Sequence, residues 1–388
     1  MIWARPLCLT DSAVSMWVRS SLTPEGVGLL RSGLETHALV TGLEEDSREL
    51  LVELVGAGWV GGSGDAAVIR YSRLSVEAWV ARLGTSGLGV ALGRLLHVGV
   101  NPQPVALGGA RFDWGSRTYV MGIVNATPDS FSDGGRDTEA AIAHGVALAE
   151  AGADLLDVGG ESTRPGAAAV SEEEELRRVV PVIEALRLQV PGVPLSVDTR
   201  KAKVARAAVK AGAVLVNDVS GLRDDAMLDV LAETGAFACA MHMLGTPEVM
   251  QAEPRYDDVG TEVLDALEGA LRRAEARGVL RSRLWVDPGI GFGKTVAHNL
   301  FLLERLGDLR LLGAPVLVGV SRKAFLGALT GGKPAAQRVV ASAAAAAVLA
   351  STGAVDVLRV HDVAETRDAL AVADAIRLAR DGGARFRT

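Results

Sequence analysis

From Thr118 to its end the chain repeats one pattern of apolar and polar positions. Short apolar runs rich in β-branched residues each lead into a Gly, Asn, Asp or Pro turn, and then into an amphipathic or alanine-rich stretch. Nearly continuous apolar runs are typical of strands buried on both faces of a parallel sheet, and their alternation with helices indicates βαβ units. The predicted strands are 119–125, 155–159, 195–198, 214–218, 237–242, 284–287, 315–319 and 357–360.

Eight such units in roughly 270 residues agree in number and size with a (β/α)8 TIM barrel. A doubly wound open sheet is the alternative fold, because it is assembled from the same units. In a barrel the active site lies at the carboxyl ends of the strands, so the residues at those eight ends indicate the chemistry.

The first hundred residues do not follow this repeat. They include a glycine-rich patch at 56–64, and a polar connector containing Gly and Pro follows at 101–115. We therefore place a domain boundary near residue 112. Residues 1–112 are expected to form a small α/β domain of unknown role, with a helix at 46–55, a strand at 66–71 and a helix at 75–96. Residues 113–388 are expected to form the catalytic barrel.

Polar side chains stand at or just after the ends of all eight predicted strands. In chain order they include Asn125, Glu161, Asp198, Asn217, His242, Asp287, Lys323 and Arg359. A single Asn or Asp after a strand most often caps the next helix. Burying polar groups at every strand end without a function would be costly, so a convergent polar site is the better explanation.

The loops after the first two predicted strands, 126–135 and 161–169, are long and rich in Gly, Pro, Ser and Asp. Loops of this kind are typical of lids over a barrel mouth, and ordinary surface loops are the alternative. The segment GFGKT at 291–295 resembles the end of a P-loop, but Pro288 occupies the position of the required first glycine, so we reject that motif. His242 is expected in the core behind the site and not in direct contact with a ligand.

Charge and cysteine content exclude several classes of protein. Forty basic against 47 acidic residues, a formal charge of −7, argue against a general nucleic-acid binder. Only two cysteines, Cys8 and Cys239, occur, without zinc-ligand spacing, which fits a reducing cytoplasm. No signal peptide is evident, and the apolar stretch 339–358 is read as a buried helix and strand, so no membrane partner is expected. The alanines of 341–350 indicate close helix packing, either in the core or at a homodimer interface.

Seven segments of the barrel closely resemble the dihydropteroate synthase family, a group of pterin-binding enzymes. They occur in family order and are MGIVNATPDSFSDGG at 121–135, GGESTRPG at 159–166, SVDT at 196–199, ND at 217–218, DPGIGFGK at 287–294, SRK at 321–323 and RVH at 359–361. The first two are long and highly specific. The family condenses 6-hydroxymethyl-7,8-dihydropterin pyrophosphate with p-aminobenzoate, giving 7,8-dihydropteroate and pyrophosphate, with the assistance of Mg²⁺.

The resemblance implies the roles of particular residues. The implied pterin-binding residues are Asp198, Asn217, Met241, Asp287, Phe292 and Lys323. Asp287 can accept from the amino and ring N–H groups of a pterin, Asn217 can pair with the adjacent edge, and Lys323 can donate to the ring carbonyl. Met241 and Phe292 would line the apolar walls, and Asp198 would favour positive charge on the ring.

The same resemblance implies a pyrophosphate site formed by Asn125, Arg359 and His361, in which Asn125 also offers a hard oxygen to Mg²⁺. Pyrophosphate would leave first, and the aniline nitrogen would then attack a cationic pterin methylene, so Asp198, Lys323 and Asn125 are the implied catalytic residues. The residues implied to contact or cover p-aminobenzoate are Phe131, Asp133, Thr163, Arg164, Pro165 and Ser321.

Relatives often have Ser directly after the SRK lysine, in contact with the p-aminobenzoate carboxylate, and this chain has Ala324 there. We expect weaker anchoring but not lost activity, because a helix N-terminus also attracts a carboxylate. Two alternative functions are a methyltetrahydrofolate methyltransferase, which needs neither the two long loops nor the Arg359/His361 anion site, and a non-catalytic pterin-binding protein, which would be expected to lack Asn125, Lys323 or Arg359.

Overall fold

The computed structural model describes residues 2–6, 36–63, 65–97, 100–127, 134–162, 169–247 and 249–380. Phe131, Asp133, Thr163, Arg164 and Pro165 lie outside these residues. The chain divides into two compact units: unit 1 is Met1–Val100 with Arg310–Gly313, and unit 2 is Asn101–Leu309 with Ala314–Thr388. Within the described residues, no helix has both the length and the apolar character needed to cross a membrane.

The described residues of unit 1 form an antiparallel sheet in the order β1-β2-β4-β3, together with three α-helices. The strands are β1 (Trp3–Pro6), β2 (Thr36–Thr41), β3 (Trp59–Ser63) and β4 (Ala66–Tyr71), and the helices are α1 (Glu45–Val55), α2 (Arg73–Leu83) and α3 (Gly87–Gly93). The helix expected at 75–96 is therefore broken. Gly84, with φ of +57°, ends α2, and the Ser86 side chain accepts from Gly89 N to begin α3.

Unit 2 begins with a hairpin, β5 (Val105–Leu107) and β6 (Ala110–Phe112), and continues as the barrel. The barrel strands are β7 (Tyr119–Asn125), β8 (Leu155–Gly159), β9 (Leu195–Asp198), β10 (Leu215–Asp218), β11 (Phe237–Met241), β12 (Leu284–Asp287), β13 (Leu317–Val318) and β14 (Val357–Val360). The helices are α4 (Gly134–Glu150), α5 (Glu172–Gln189), α6 (Ala202–Ala211), α7 (Asp225–Thr234), α8 (Val259–Ala276), α9 (Val296–Glu304), α10 (Ala324–Leu329), α11 (Val339–Ser351) and α12 (Val363–Arg380).

The eight strands are parallel and lie side by side in the order β12-β11-β10-β9-β8-β7-β14-β13. A parallel bridge between Val286 and Val316 joins β12 to the residue preceding β13, so the sheet closes on itself. The predicted (β/α)8 barrel is thus confirmed and the open sheet is excluded. The seventh strand is shorter than expected, because only Leu317 and Val318 pair with β14.

An aromatic cluster fills the base of the barrel, where the strands begin. Phe112 lies 4.6 Å from Tyr119 and Trp114 lies 5.4 Å from Trp285, measured between ring centroids, and all four side chains are buried. Because Leu107 of the hairpin belongs to the same buried cluster, the β5–β6 hairpin is part of the barrel's core. The boundary expected near residue 112 is for this reason found between Val100 and Asn101.

Candidate active site

The ends of the first four barrel strands form one layer at the mouth. Asn125 of β7 is in register with Gly159 of β8, Gly159 with Asp198 of β9, and Asp198 with Asn217 of β10. Parallel strands in register direct these side chains to the same face of the sheet. Gly159 leaves the space beside Asp198 open, because a Cβ there would lie 3.4 Å from the Asp198 Cβ. The asparagines and the aspartate are therefore brought together as expected from the sequence.

Asp157 lies on β8 two residues before Gly159, below this layer and in register with Ser196 of β9, and it was not among the residues expected at the site. Its side chain is fully buried, and its Oδ2 accepts from Asn217 Nδ2 at 2.9 Å and from Arg359 Nε at 2.6 Å. Its Oδ1 has no hydrogen-bond partner in the part of the chain that the structure describes. The available signal was a lone carboxylate inside the apolar run LLDVG, since such a charge is rarely buried without a cation nearby.

Arg359 joins two carboxylates inside the mouth. Its Nε binds Asp157 and its Nη2 binds Asp198 Oδ2 at 2.7 Å. Burial raises the pKa of Asp198 to about 7, although the Arg359 guanidinium acts to lower it. The residue expected to receive a pyrophosphate is thus bound to two carboxylates, with which an anion would have to compete.

Asp287 and Lys323 are a second set of interacting opposite charges at the mouth. Asp287 Oδ1 accepts from Gly289 N at 2.7 Å, and burial raises the pKa of this carboxyl to about 6 although that N–H and Lys323 both act to lower it. Burial lowers the pKa of Lys323 to about 8, while the nearby Asp287 acts to raise it. The Lys323 ammonium lies 4.1 Å from the centre of the Phe292 ring, a cation–π contact that fixes both side chains.

Apolar side chains form the wall next to this pair. Met241 is buried in a cluster with Val219, Met243 and Met250, and Phe292 packs against the cluster. Because Met241 is in register with Asp287, the wall lies directly beside a carboxylate. A flat heterocycle could contact the apolar wall with its face and the polar groups with its edge.

His361 and Ser321 connect the last two strand ends. The Ser321 hydroxyl accepts from His361 N and contacts His361 Nδ1, both at 3.1 Å. Arg322, between the expected site residues Ser321 and Lys323, forms an ion pair with Asp362 and has a positive φ of 58°. Ala324 is the first residue of the six-residue helix α10.

The base of the long loop after β8 is fixed although most of the loop lies outside the described residues. Glu161 Oε1 accepts from Val170 N at 3.0 Å across the loop, and Glu161 Oε2 lies 3.0 Å from Lys201 Nζ. Lys201 also binds the fully buried Glu175. Sequence reasoning did not find this ion-pair network, because its members come from three separate segments.

Asn125 is the residue whose side chain fits the proposed metal. It is exposed at the mouth and offers one amide oxygen. No group of three or more His, Cys, Asp or Glu residues able to hold a metal occurs among the residues described. A single hard oxygen is sufficient for Mg²⁺ when water and substrate phosphates supply the other ligands.

Comparisons with known proteins agree with this geometry. Residues 121–361 match the family described as pterin binding enzyme. The dihydropteroate synthase of Escherichia coli K12 is 46% identical over 268 residues, which are 69% of this chain and 94% of that protein. A structure of the Xanthomonas albilineans dihydropteroate synthase with 4-aminobenzoic acid is 51% identical with a TM-score of 0.66, and the match covers 71% of this chain and 99% of that one.

One relative also matches the N-terminal unit. A probable bifunctional folylpolyglutamate synthase/dihydropteroate synthase of Halobacterium salinarum is 41% identical over an alignment that covers 98% of this chain and 48% of that protein. An alignment of this extent includes almost all of unit 1 as well as the barrel. The arrangement of the two units along the sequence is therefore shared with at least one other protein.

Proposed function

Because the chain belongs to the family of pterin binding enzymes and is a dihydropteroate synthase within it, we propose roles for its residues in the reaction of that family. The enzyme is a transferase that condenses 6-hydroxymethyl-7,8-dihydropterin pyrophosphate with p-aminobenzoate to give 7,8-dihydropteroate and pyrophosphate. All the proposed roles fall on residues of unit 2, so we assign catalysis to the barrel.

The pterin edge is recognised by Asp287, Asn217 and Lys323. Asp157 takes a hydrogen bond from Asn217 Nδ2, which leaves Asn217 Oδ1 to accept an N–H of the ring. Asp287 accepts from the amino and ring N–H groups, and the Lys323 ammonium donates to the ring carbonyl. Met241 and Phe292 contact the ring faces.

The diphosphate binds near Arg359 and His361, and its arrival changes the partners of Arg359. The guanidinium forms ion pairs with Asp157 and Asp198. As the guanidinium turns toward the leaving diphosphate, it withdraws from Asp198. The Asp198 carboxylate then pairs with the positive charge that develops on the pterin methylene as the C–O bond breaks.

Asn125 would hold a Mg²⁺ ion together with the diphosphate oxygens. When bound, the ion would neutralise charge on the departing pyrophosphate. The aniline nitrogen of p-aminobenzoate is a nucleophile that attacks the cationic pterin methylene without a strong general base. Phe131, Asp133, Thr163, Arg164, Pro165 and Ser321 are proposed to contact or cover p-aminobenzoate.

The enzyme acts as a homodimer in this proposal. Exposed apolar side chains lie on two neighbouring helices, Val340 and Val348 on α11 and Val372 and Ile376 on α12. Exposed apolar side chains on two neighbouring helices favour association with a second copy. Sedimentation would show a dimer for the natural chain and a monomer for Val340→Glu combined with Val372→Glu.

The ion-pair cluster of Arg359 with Asp157 and Asp198, facing Asp287 and Lys323, is the observation that carries these roles. The test is pyrophosphate release with the pterin pyrophosphate, p-aminobenzoate and Mg²⁺, omitting each in turn. We expect release that requires all three. Pterin binding without release dependent on p-aminobenzoate would instead favour a non-catalytic pterin-binding protein, and methyl transfer from methyltetrahydrofolate would favour the methyltransferase.

A further inference from the structure

We infer that Lys294 is a positioning residue for pterin binding: its buried ammonium holds the loop 287–293, here named the glycine loop, in the shape that presents Asp287 and Phe292 to the substrate. The inference rests on the proposed pterin site. It concerns a side chain that contacts no substrate in that proposal and that follows the glycine loop directly in sequence.

The Lys294 ammonium is enclosed by backbone carbonyls and one histidine. Its Nζ lies 2.9 Å from His242 Nδ1, 3.0 Å from Phe292 O, 3.1 Å from Gly289 O and 3.3 Å from His242 O. Only 3% of the residue is exposed. The lysine therefore bonds to two points of the glycine loop and to the residue that follows the neighbouring strand β11.

Four acceptors surround an amine that has three N–H donors when it is protonated. Burial lowers the pKa of Lys294 to about 7, although the nearby Asp287 acts to raise it. A protonated lysine has three N–H groups, and the three shortest contacts are to His242 Nδ1, Phe292 O and Gly289 O. Burial, with the charges of Lys294 and Arg223, lowers the pKa of His242 to about 3, so this ring is neutral and its Nδ1 is the acceptor. Replacing the ammonium with an apolar group would leave these acceptors without a donor in a buried place.

The glycine loop has a backbone that needs such support. Gly289, Gly291 and Gly293 all have positive φ, of +67°, +82° and +61°. At Gly289 an added Cβ would lie 1.8 Å from His242 O, so the loop backbone rests directly on the end of β11. Two other carbonyls are held from the segment after β11, since Gln251 Nε2 donates to Gly291 O and Tyr256 Oη donates to Gly293 O, both at 2.8 Å.

The backbone of the glycine loop positions the groups that are proposed to contact pterin. Gly289, whose carbonyl binds Lys294, donates its N–H to the Asp287 carboxylate. Phe292, whose carbonyl also binds Lys294, places its ring against Lys323. A shift of this backbone would displace the carboxylate, the aromatic wall and the partner of Lys323 together. Displacements of about 1 Å are enough to lower affinity and rate substantially.

A catalytic role for Lys294 itself does not fit the geometry. Its donors are directed to protein acceptors, and its exposed fraction leaves no surface for a substrate. The P-loop-like sequence around it likewise gives no phosphate site, because the lysine points into the loop's own carbonyls. Its contribution is therefore preorganisation of the pterin pocket.

The test compares Lys294→Met and Lys294→Gln with the control Lys210→Met, which changes an exposed lysine of α6. We expect Lys294→Met to raise the dissociation constant of the pterin substrate about tenfold or more, while the KM for p-aminobenzoate changes less than about twofold. Lys294→Gln, which retains two N–H donors, should recover part of the loss. Binding is measured by fluorescence titration of the full chain well below the Tm of each variant.

A folded Lys294→Met variant with wild-type pterin affinity would overturn the inference. An equal loss for pterin and p-aminobenzoate would also overturn it, since that is the result of a merely structural role. If Lys294→Met does not fold, Lys294→Gln decides between the same outcomes. Absence of pterin binding and turnover in the wild-type chain would instead contradict the proposed function.

Discussion

At the base of the barrel, Phe112, Trp114, Tyr119 and Trp285 fill the space between the strands, whereas at the mouth the same strands end in charged and amide groups. The base is stabilised by the burial of apolar and aromatic surface. At the mouth, burial raises the pKa of Asp198 and of Asp287 and lowers the pKa of Lys323. Burial therefore disfavours the charged form of each of these three side chains. Burial at the base therefore stabilises the fold, whereas burial of ionisable groups at the mouth lowers stability where the substrate is proposed to bind.

The largest expected effect is the loss of pterin binding in Asp287→Asn. The amide keeps an acceptor for Gly289 N but loses the charge that pairs with the pterin edge, so we expect kcat/KM for the pterin substrate to fall about a thousandfold, or about 4 kcal/mol. Thermal stability should not fall with it. The folded-state pKa of Asp287 is raised to about 6, so its ionised form opposes folding.

The sign of this stability effect can be checked against pH. A raised carboxyl pKa means that its favourable contribution is present below the unfolded value of 3.8 and is lost as pH rises through about 6. The Tm of Asp287→Asn should therefore equal or exceed that of the wild type at pH 8, and this advantage should disappear near pH 4. If the Tm of Asp287→Asn were well below that of the wild type at pH 8, the Asp287 carboxylate would stabilise the fold, and the proposed difference between mouth and base would be wrong.

The converse change is Phe112→Ala at the base. Removing a fully buried ring should lower the free energy of unfolding by about 3 kcal/mol, measured by urea denaturation. Because Phe112 lies at the base of the barrel and the site lies at the mouth, the KM values of the folded protein should stay within about twofold of wild type. Leu74→Ala, an exposed side chain in unit 1, is the control for stability. A change in pterin KM larger than the change in stability would contradict the comparison.

Asp157→Asn tests the connection between the carboxylates and Arg359. The substitution keeps the size of the side chain and one oxygen that can accept from Asn217 and Arg359, but it removes the negative charge. We expect kcat/KM for the pterin substrate to fall about tenfold, because hydrogen bonds to a neutral acceptor orient Asn217 and Arg359 less firmly. Unchanged kinetics would show that the charge of Asp157 does not contribute to pterin turnover.

The smallest expected effect is a pH dependence of pterin binding caused by Lys323. Its pKa is lowered to about 8, so it is protonated below that pH and loses its charge as pH rises. The protonated form donates to the ring carbonyl, and pterin affinity should therefore weaken between about pH 7.5 and pH 9. Lys323→Arg stays protonated in this range, so it should have weaker affinity at pH 7 and lack the decline centred near pH 8. A decline centred near pH 7 should remain, because burial lowers the pKa of Lys294 to about 7. A decline that stays centred near pH 8 in Lys323→Arg would assign the titration to another group.

The fold was predictable in large part because buried parallel strands have a distinct sequence pattern, and the polar strand ends marked the site. Asp157 was missed because it lies inside an apolar run and not at its end. The packing of the hairpin 105–112 in the barrel's core was not predicted, because the partners of its few apolar side chains lie in distant segments of the sequence. The acceptors around the Lys294 ammonium include His242, which follows another strand, and no local sequence pattern indicates this contact.

A crystal structure of the full chain with 6-hydroxymethyl-7,8-dihydropterin pyrophosphate is the most direct measurement of the central proposal, that the charged mouth binds the pterin by its edge. We predict the ring edge within hydrogen-bond distance of Asp287, Asn217 and Lys323, with its faces against Met241 and Phe292. A pterin ring bound elsewhere, with these three side chains contacting only protein groups, would contradict the account.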